Sequence, residues 1–206
     1  MRLTTDDPVW YLAYGSNMAA DRFSCYLTGG RPPGAGRRYE GCRTHTPPAR
    51  DVGLHLPGRL RFGGVSGVWG GALAFYDRSA EGLLAARGYL ITFGQFSDVV
   101  AQEARQPVSD DLAPDGNGAW QARSSVYESV VQVGEQEGVP MLSFTSVRRR
   151  EPAAPSEAYL RTILRGLGQT FGWTPRTSAE YLLAAPGVAP TWSADRLVRV
   201  AENNGG

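Results

Sequence analysis

The sequence contains no lysine: all 21 basic residues of the 206 are arginine. A lysine nucleophile or Schiff base is therefore excluded. Cysteine is scarce, with only Cys25 and Cys42, too few for a disulfide framework, so buried thiols are expected. Histidine is scarcer in effect. His45 stands near Cys42 and His55 lies apart, a set with no evident fourth ligand, so no metal site is expected. There is no run of 18 apolar residues and no charged-then-apolar leader, which leads us to expect a cytoplasmic protein with no membrane partner. Charge of one sign is also lacking. A net charge of +1 gives no electrostatic footprint for nucleic acid. No glycine-rich phosphate loop is present, and no cofactor is expected. No internal repeat is visible.

What is present suits a packed core. Hydrophobic residues make up 42% of the chain, and its 5 Trp, 9 Tyr and 7 Phe are spread along it, enough for one domain over 1–206, with a core at about 9–185 and an extension over 186–206. The 26 Gly and 14 Pro imply many turns and favour a β-rich core.

In chain order, Val9–Ala13 reads as a buried strand and about Met18 to Tyr26 as a helix. Thr28 to Pro48 reads as loops around one strand near Arg37 to Arg43. Val52–Leu56 and Leu60–Phe62 read as a hairpin turned at Pro57-Gly58, followed by a broken strand over Val68–Tyr76. A short helix is expected over Ser79 to Ala86, a strand over Gly88–Phe93, and a helix over Gln95–Arg105. The polar 106–124 stretch reads as a loop and a candidate lid. Strands at Val126–Val133 and Met141–Val147 are joined by a hairpin. Helices follow at Glu157–Phe171, after Pro175 to about Ala184, and at Ser193–Ala201. Strands first and helices later argue for an α+β fold, a small mixed, barrel-like sheet with flanking helices.

Two stretches carry chemistry. After the first strand, Tyr14-Gly15-Ser16-Asn17 must turn the chain within a few residues. Gly15 permits close approach or positive φ, and Ser16 or Asn17 can cap the helix. Such a turn offers backbone N–H groups to a carboxylate or a developing oxyanion. In the later helix Phe96, Val99 and Val100 set an apolar face whose next member is Glu103, with Asp98, Ala101, Gln102 and Arg105 opposite. Burial disfavours the charged form of a carboxylate, which suits a general acid/base near neutral pH. Periodicity leaves open a Glu103 that turns to solvent or pairs with an arginine. A second carboxylate, Glu137, lies in Gln136-Glu137-Gly138, within a polar hairpin where it should be solvated and unshifted.

The stretch Tyr11-Leu12-Ala13-Tyr14-Gly15-Ser16-Asn17-Met18, with Arg22 after it, resembles the signature loop of the γ-glutamylcyclotransferase-like family. Strand Gly88–Thr92 followed by Gln102-Glu103 is similar to that family's strand, short helix and catalytic Glu. Ala104 departs from the usual Gly, and Phe144 stands where some members have a Tyr. Pro155-Ser156-x-x-Tyr159 with Gly168 and Gly172 resembles the family's later helix. The resemblance implies an enzyme that cyclises a γ-glutamyl amide to 5-oxoproline and a free amine, with Glu103 as the acid/base and no metal or cofactor. It implies that Tyr14, Gly15, Ser16, Asn17 and Met18 bind substrate, holding either the γ-carbonyl oxygen or the α-carboxylate. Tyr127 and Tyr159 either place hydroxyls in the pocket or are core tyrosines. Two further readings stay open: a non-catalytic binder of γ-glutamyl or amino-acid ligands, and an enzyme that removes a γ-glutamyl protecting group from a larger amine.

Overall fold

The computed structural model describes residues 3–32, 36–65, 67, 69–115, 119–122 and 124–203. The strands are β1 (Pro8–Ala13), β2 (Arg50–Pro57), β3 (Arg59–Gly63), β4 (Leu73–Asp77), β5 (Leu83–Thr92), β6 (Ser129–Gln136) and β7 (Val139–Thr145). The helices are α1 (Ala20–Thr28), α2 (Phe93–Glu103), α3 (Glu157–Phe171), α4 (Pro175–Leu183) and α5 (Ala194–Glu202). The main sheet has the order β2-β5-β1-β7-β6, and β3 and β4 form a separate two-stranded sheet. The sheet is thus mixed but open, not a closed barrel.

β1 is central. It runs antiparallel to β5, from Pro8↔Thr92 to Ala13↔Arg87, and parallel to β7 through Trp10↔Met141 and Tyr11↔Leu142. A strand covered on both faces must be apolar at successive positions, and Val9 to Ala13 are all buried.

The chain falls into two compact units, each assembled from separated segments. The first holds 1–13, 23–52 and 87–148, and the second holds 14–22, 53–86 and 149–206. The first unit is built on β1, β6, β7 and α2. Tyr11 lies at its centre, its ring 5.4 Å from Phe23, 5.8 Å from Phe96 and 5.6 Å from Phe144. In the second unit α3 crosses the turn after β1. A Cβ at Gly166 would lie 2.5 Å from the Met18 Cβ and 2.8 Å from the Ala19 nitrogen, so only glycine lets the helix approach this closely.

Several expectations are corrected. No strand forms near Arg37 to Arg43: residues 39–42 are held by a single bridge, Gly30↔Tyr39, and by Cys42 N–H donating to Leu27 O. β2 and β3 belong to different sheets, so Pro57-Gly58 is not a hairpin turn; the Gly58 N–H donates instead to Gly82 O at 3.0 Å. Residues 83–86 belong to a strand, not a helix. Leu84, Ala85 and Ala86 are buried there, and tertiary cover overrides the helical preference of leucine and alanine. α2 begins at Phe93, two residues earlier than expected. Thr92 Oγ1 accepts the Gln95 N–H at 3.2 Å and Gln95 Oε1 accepts the Thr92 N–H at 3.2 Å, a complete capping box. The expected strand start at Val68 and the glycine end of the chain fall outside the described residues.

The 157–171 helix forms as read. The Ser156 hydroxyl accepts the Tyr159 N–H at its start, and Gly172 ends it at φ 64°.

Candidate active site

Glu103 is the last residue of α2 and is half-buried. The Tyr26 hydroxyl, from α1, donates to its Oε1 at 2.5 Å, and the Tyr39 hydroxyl lies 3.0 Å from that of Tyr26. The Tyr26 and Tyr39 rings pack with centroids 4.1 Å apart. Both tyrosines are buried. The face opposite Glu103 is buried in part as well. Asp98 and Gln102 are each 1% exposed, because α2 is covered on both sides. The Gln102 amide donates to Tyr26 O at 3.0 Å and accepts the Gly41 N–H at 3.3 Å. Asp98 accepts the Arg43 backbone N–H at 2.8 Å and the Arg43 Nε–H at 2.8 Å. Burial pushes the Asp98 carboxyl above its ordinary value, and these donors only partly offset it.

Ala104 does not impair the turn after α2. It keeps right-handed dihedrals, φ −75° and ψ −3°, and the left-handed position is Arg105 at φ 57°. The Gln106 N–H donates to Ala101 O at 2.9 Å and the Arg105 N–H to Gln102 O at 3.2 Å, the pattern of a Schellman cap closed without glycine.

Glu137 lies in a different environment. It sits in a two-residue turn with Gly138, at φ 56° and 75°, and its carboxylate takes two bonds from the Arg50 guanidinium at 2.8 and 3.1 Å. The expectation of an unshifted group is corrected: the Arg50 hydrogen bonds and charge hold this exposed carboxyl below its ordinary value. It is an exposed, ion-paired surface group.

In the second unit, residues 16–18 form one 3₁₀ turn before α1. Its N-cap is Gly15, with no side-chain cap; Ser16 Oγ accepts the Arg22 Nε–H at 2.9 Å. Ser16, Asn17 and Met18 are buried. Gly15 is needed for close approach rather than positive φ. Its φ is −116°, and a Cβ there would lie 3.1 Å from the Tyr159 hydroxyl. That hydroxyl accepts the Ala74 N–H at 3.4 Å. Tyr14 packs on Tyr76 at 6.0 Å, and Trp69 lies 5.0 Å from the Tyr159 ring, with the Arg22 guanidinium over its face at 4.9 Å.

Of the residues singled out from sequence, Gly15 and Tyr159 are thus brought together in one unit. Glu103 and Tyr127 lie in the other, where Tyr127 meets Phe144 edge-on at 5.5 Å. Phe144 also stacks on Tyr11, so the absent hydroxyl at that position is replaced by core packing. Sequence reading named Tyr26 as the end of a helix and did not single out Tyr39. The latter lies in a Gly- and Pro-rich segment without periodicity, where no pattern reveals a partner.

Two further chemically capable groups are held structurally. The Cys42 thiol is pushed up to about 12, first by burial and then by Asp98, and His55 packs on Phe171 at 4.9 Å. Among the described residues no cluster of three metal-capable side chains occurs, and no helix is long and apolar enough to cross a membrane.

The open mixed sheet, the second small sheet and the Tyr-Gly-Ser-Asn turn place the chain in the γ-glutamyl cyclotransferase-like fold. A solved γ-glutamyl cyclotransferase superposes with a TM-score of 0.57 at 19% identity, covering 94% of this chain and 99% of that one. The human uncharacterized protein LOC79017 superposes with a TM-score of 0.55 at 19% identity, over 94% and 99% of the two chains. YkqA from Bacillus subtilis superposes with a TM-score of 0.51 at 18% identity, over 96% of this chain and 55% of its own. Among curated proteins, histone deacetylase 5 of Arabidopsis thaliana is 33% identical over 183 residues, taking in 77% of this chain and 28% of that protein. The chain therefore spans little more than a quarter of that relative's length. No protein-family model matches the chain.

Proposed function

We propose that the protein cyclises a γ-glutamyl amide, releasing 5-oxoproline and an amine. What supports this is the fold together with one observation, the half-buried Glu103 carboxylate held by the Tyr26 hydroxyl at the end of α2.

The reaction needs little from the protein beyond orientation and proton movement. The substrate's α-nitrogen attacks its own γ-carbonyl carbon, the bond from that carbon to the departing amine breaks, and no water is consumed. Holding the two reacting atoms in attack geometry contributes about 7–11 kcal/mol in favourable intramolecular cases. The α-nitrogen must lose a proton and the departing nitrogen must gain one. A single carboxylate can take the first and return it to the second, and we assign this to Glu103. The Gly15, Ser16 and Asn17 backbone is assigned to the substrate's oxygens, with Tyr14, Met18, Tyr127 and Tyr159 shaping the substrate's surroundings. No metal or cofactor enters the scheme.

The test is incubation with γ-glutamyl dipeptides, glutathione and γ-glutamylated larger amines, read by mass for 5-oxoproline. Glu103→Gln is expected to lower turnover by about 10²–10⁴-fold while keeping the fold, the usual contribution of a positioned acid/base. Glu137→Gln is expected to turn over like the parent. A folded Glu103→Gln protein that stays active beside an inactive Glu137→Gln protein would reverse the assignment. Ligand-induced thermal stabilisation without product would favour the non-catalytic binder.

A further inference from the structure

The geometry points to Tyr26 as the positioning residue for the Glu103 carboxylate, with the Tyr39 ring packed behind it. This rests on the cyclotransferase reading above and extends it to residues the family-like motifs do not include.

The arrangement starts from glycine. The chain leaving α1 passes tightly against residues 39–41. A Cβ at Gly41 would lie 2.8 Å from the Gly29 nitrogen, and one at Gly29 would lie 2.8 Å from Glu40 O. Both glycines have positive φ, 97° and 77°. The crossing is sealed by the reciprocal bonds of the Gly30–Tyr39 bridge, at 3.0 and 2.7 Å. It sets the Tyr39 ring 4.1 Å from that of Tyr26. The side chain of Gln102, one residue before Glu103, closes the same region by bonding both Tyr26 O and Gly41 N–H. The Tyr26 backbone, the 39–41 segment and the end of α2 are therefore held as one assembly, entirely within the first unit.

Proton counting then gives the direction. A phenolic hydroxyl has one proton to donate. Tyr26 Oη lies 2.5 Å from Glu103 Oε1 and 3.0 Å from Tyr39 Oη. Its proton goes to the carboxylate, the shorter contact and the stronger, charge-assisted acceptor. The Tyr39 hydroxyl, at 3.0 Å, is the weaker, neutral alternative acceptor of the same proton. The consequence for Glu103 is that Oε1 takes a hydrogen bond from within the protein, which restrains the rotation of the carboxylate. A carboxylate that must both accept and return a proton gains from such fixed orientation.

The experiment uses Tyr26→Phe and Tyr39→Phe in the full chain, with thermal midpoints to confirm folding. Tyr26→Phe is expected to lower kcat about 10- to 100-fold, the fold-change expected for losing a hydrogen bond to a charged group, with KM changed less than about twofold. Tyr39→Phe is expected to change kcat less, because it keeps the ring packing and leaves the Tyr26–Glu103 bond in place. A structural role alone would shift the midpoint or KM and leave kcat in place. An activity-independent reading comes from proton NMR. The Tyr26 hydroxyl should give a slowly exchanging downfield signal, absent in Tyr26→Phe and moved upfield in Glu103→Gln. If turnover is Glu103-dependent but Tyr26→Phe keeps the parent kcat, the positioning role is overturned, as it is if no such signal exists. A signal in a protein inert to every γ-glutamyl compound would sink the cyclotransferase reading and leave the tyrosine pair as the holder of Glu103.

Discussion

At the scale of single residues, two carboxylates with similar neighbours in sequence have different physical fates. Gln136-Glu137-Gly138 resembles the expected catalytic tripeptide more closely in letters than Gln102-Glu103-Ala104 does. Yet Glu137 faces solvent against Arg50, whereas Glu103 ends a buried helix against Tyr26. The same scale explains why Ala104 is harmless. The left-handed residue that ends α2 is Arg105, and a branched-off Cβ in that conformation costs roughly 1–2 kcal/mol. Arg105→Gly is therefore expected to raise stability by about 1 kcal/mol, read as a higher denaturant midpoint at unchanged slope. A lower midpoint would mean that the arginine side chain makes a compensating contact.

At the scale of elements, the loop after α2 is tied down in its described part. Leu112 N–H donates to Ser97 Oγ at 3.0 Å, Thr5 donates to Asp111 at 2.5 Å, and Arg43 joins Asp111 to Asp98. Its end is anchored too, with Trp120 on Phe93 at 5.3 Å. Burial opposes the Asp111 charge, but the Thr5 hydroxyl and the Arg43 guanidinium outweigh it and hold this carboxyl below its ordinary 3.8. A carboxyl lowered in the folded state binds its proton less tightly there than in the unfolded chain. Its stabilisation is therefore present above 3.8 and is lost as pH falls through the folded value. Asp98, raised by burial, contributes in the opposite sense. Asp111→Asn should consequently lower the thermal midpoint at pH 7, with the deficit shrinking as pH falls below about 3.8. A deficit that persists unchanged at pH 2.5 would show that the ion pair is not its source.

At the scale of the whole molecule, both compact units are discontinuous, so each requires chain segments separated by the other in sequence. Loops of that length must close before either unit gains its core. We expect one calorimetric transition with van't Hoff and calorimetric enthalpies in agreement. Two resolved transitions would show the units folding independently and would overturn the single-domain reading of 1–206.

Local sequence alone determined the elements whose causes are local. An unbroken apolar run made β1 a central strand. Ser156, Pro175 and Gly172 set the bounds of α3 and α4. Apolar periodicity placed Glu103 at the end of a helix, and the Tyr-Gly-Ser-Asn turn was legible by its letters. Only the tertiary structure decided what depends on cover from elsewhere in the chain. It drew Leu84 to Ala86 into a strand, buried both sides of α2 so that Asp98 and Gln102 became interior groups, and left the sheet open. It also brought Tyr26 and Tyr39 to Glu103 across 77 and 64 residues of sequence. Periodicity records which face of an element avoids water. It cannot record which distant side chain meets that face, because that partner is chosen by the packing of segments that share no local pattern.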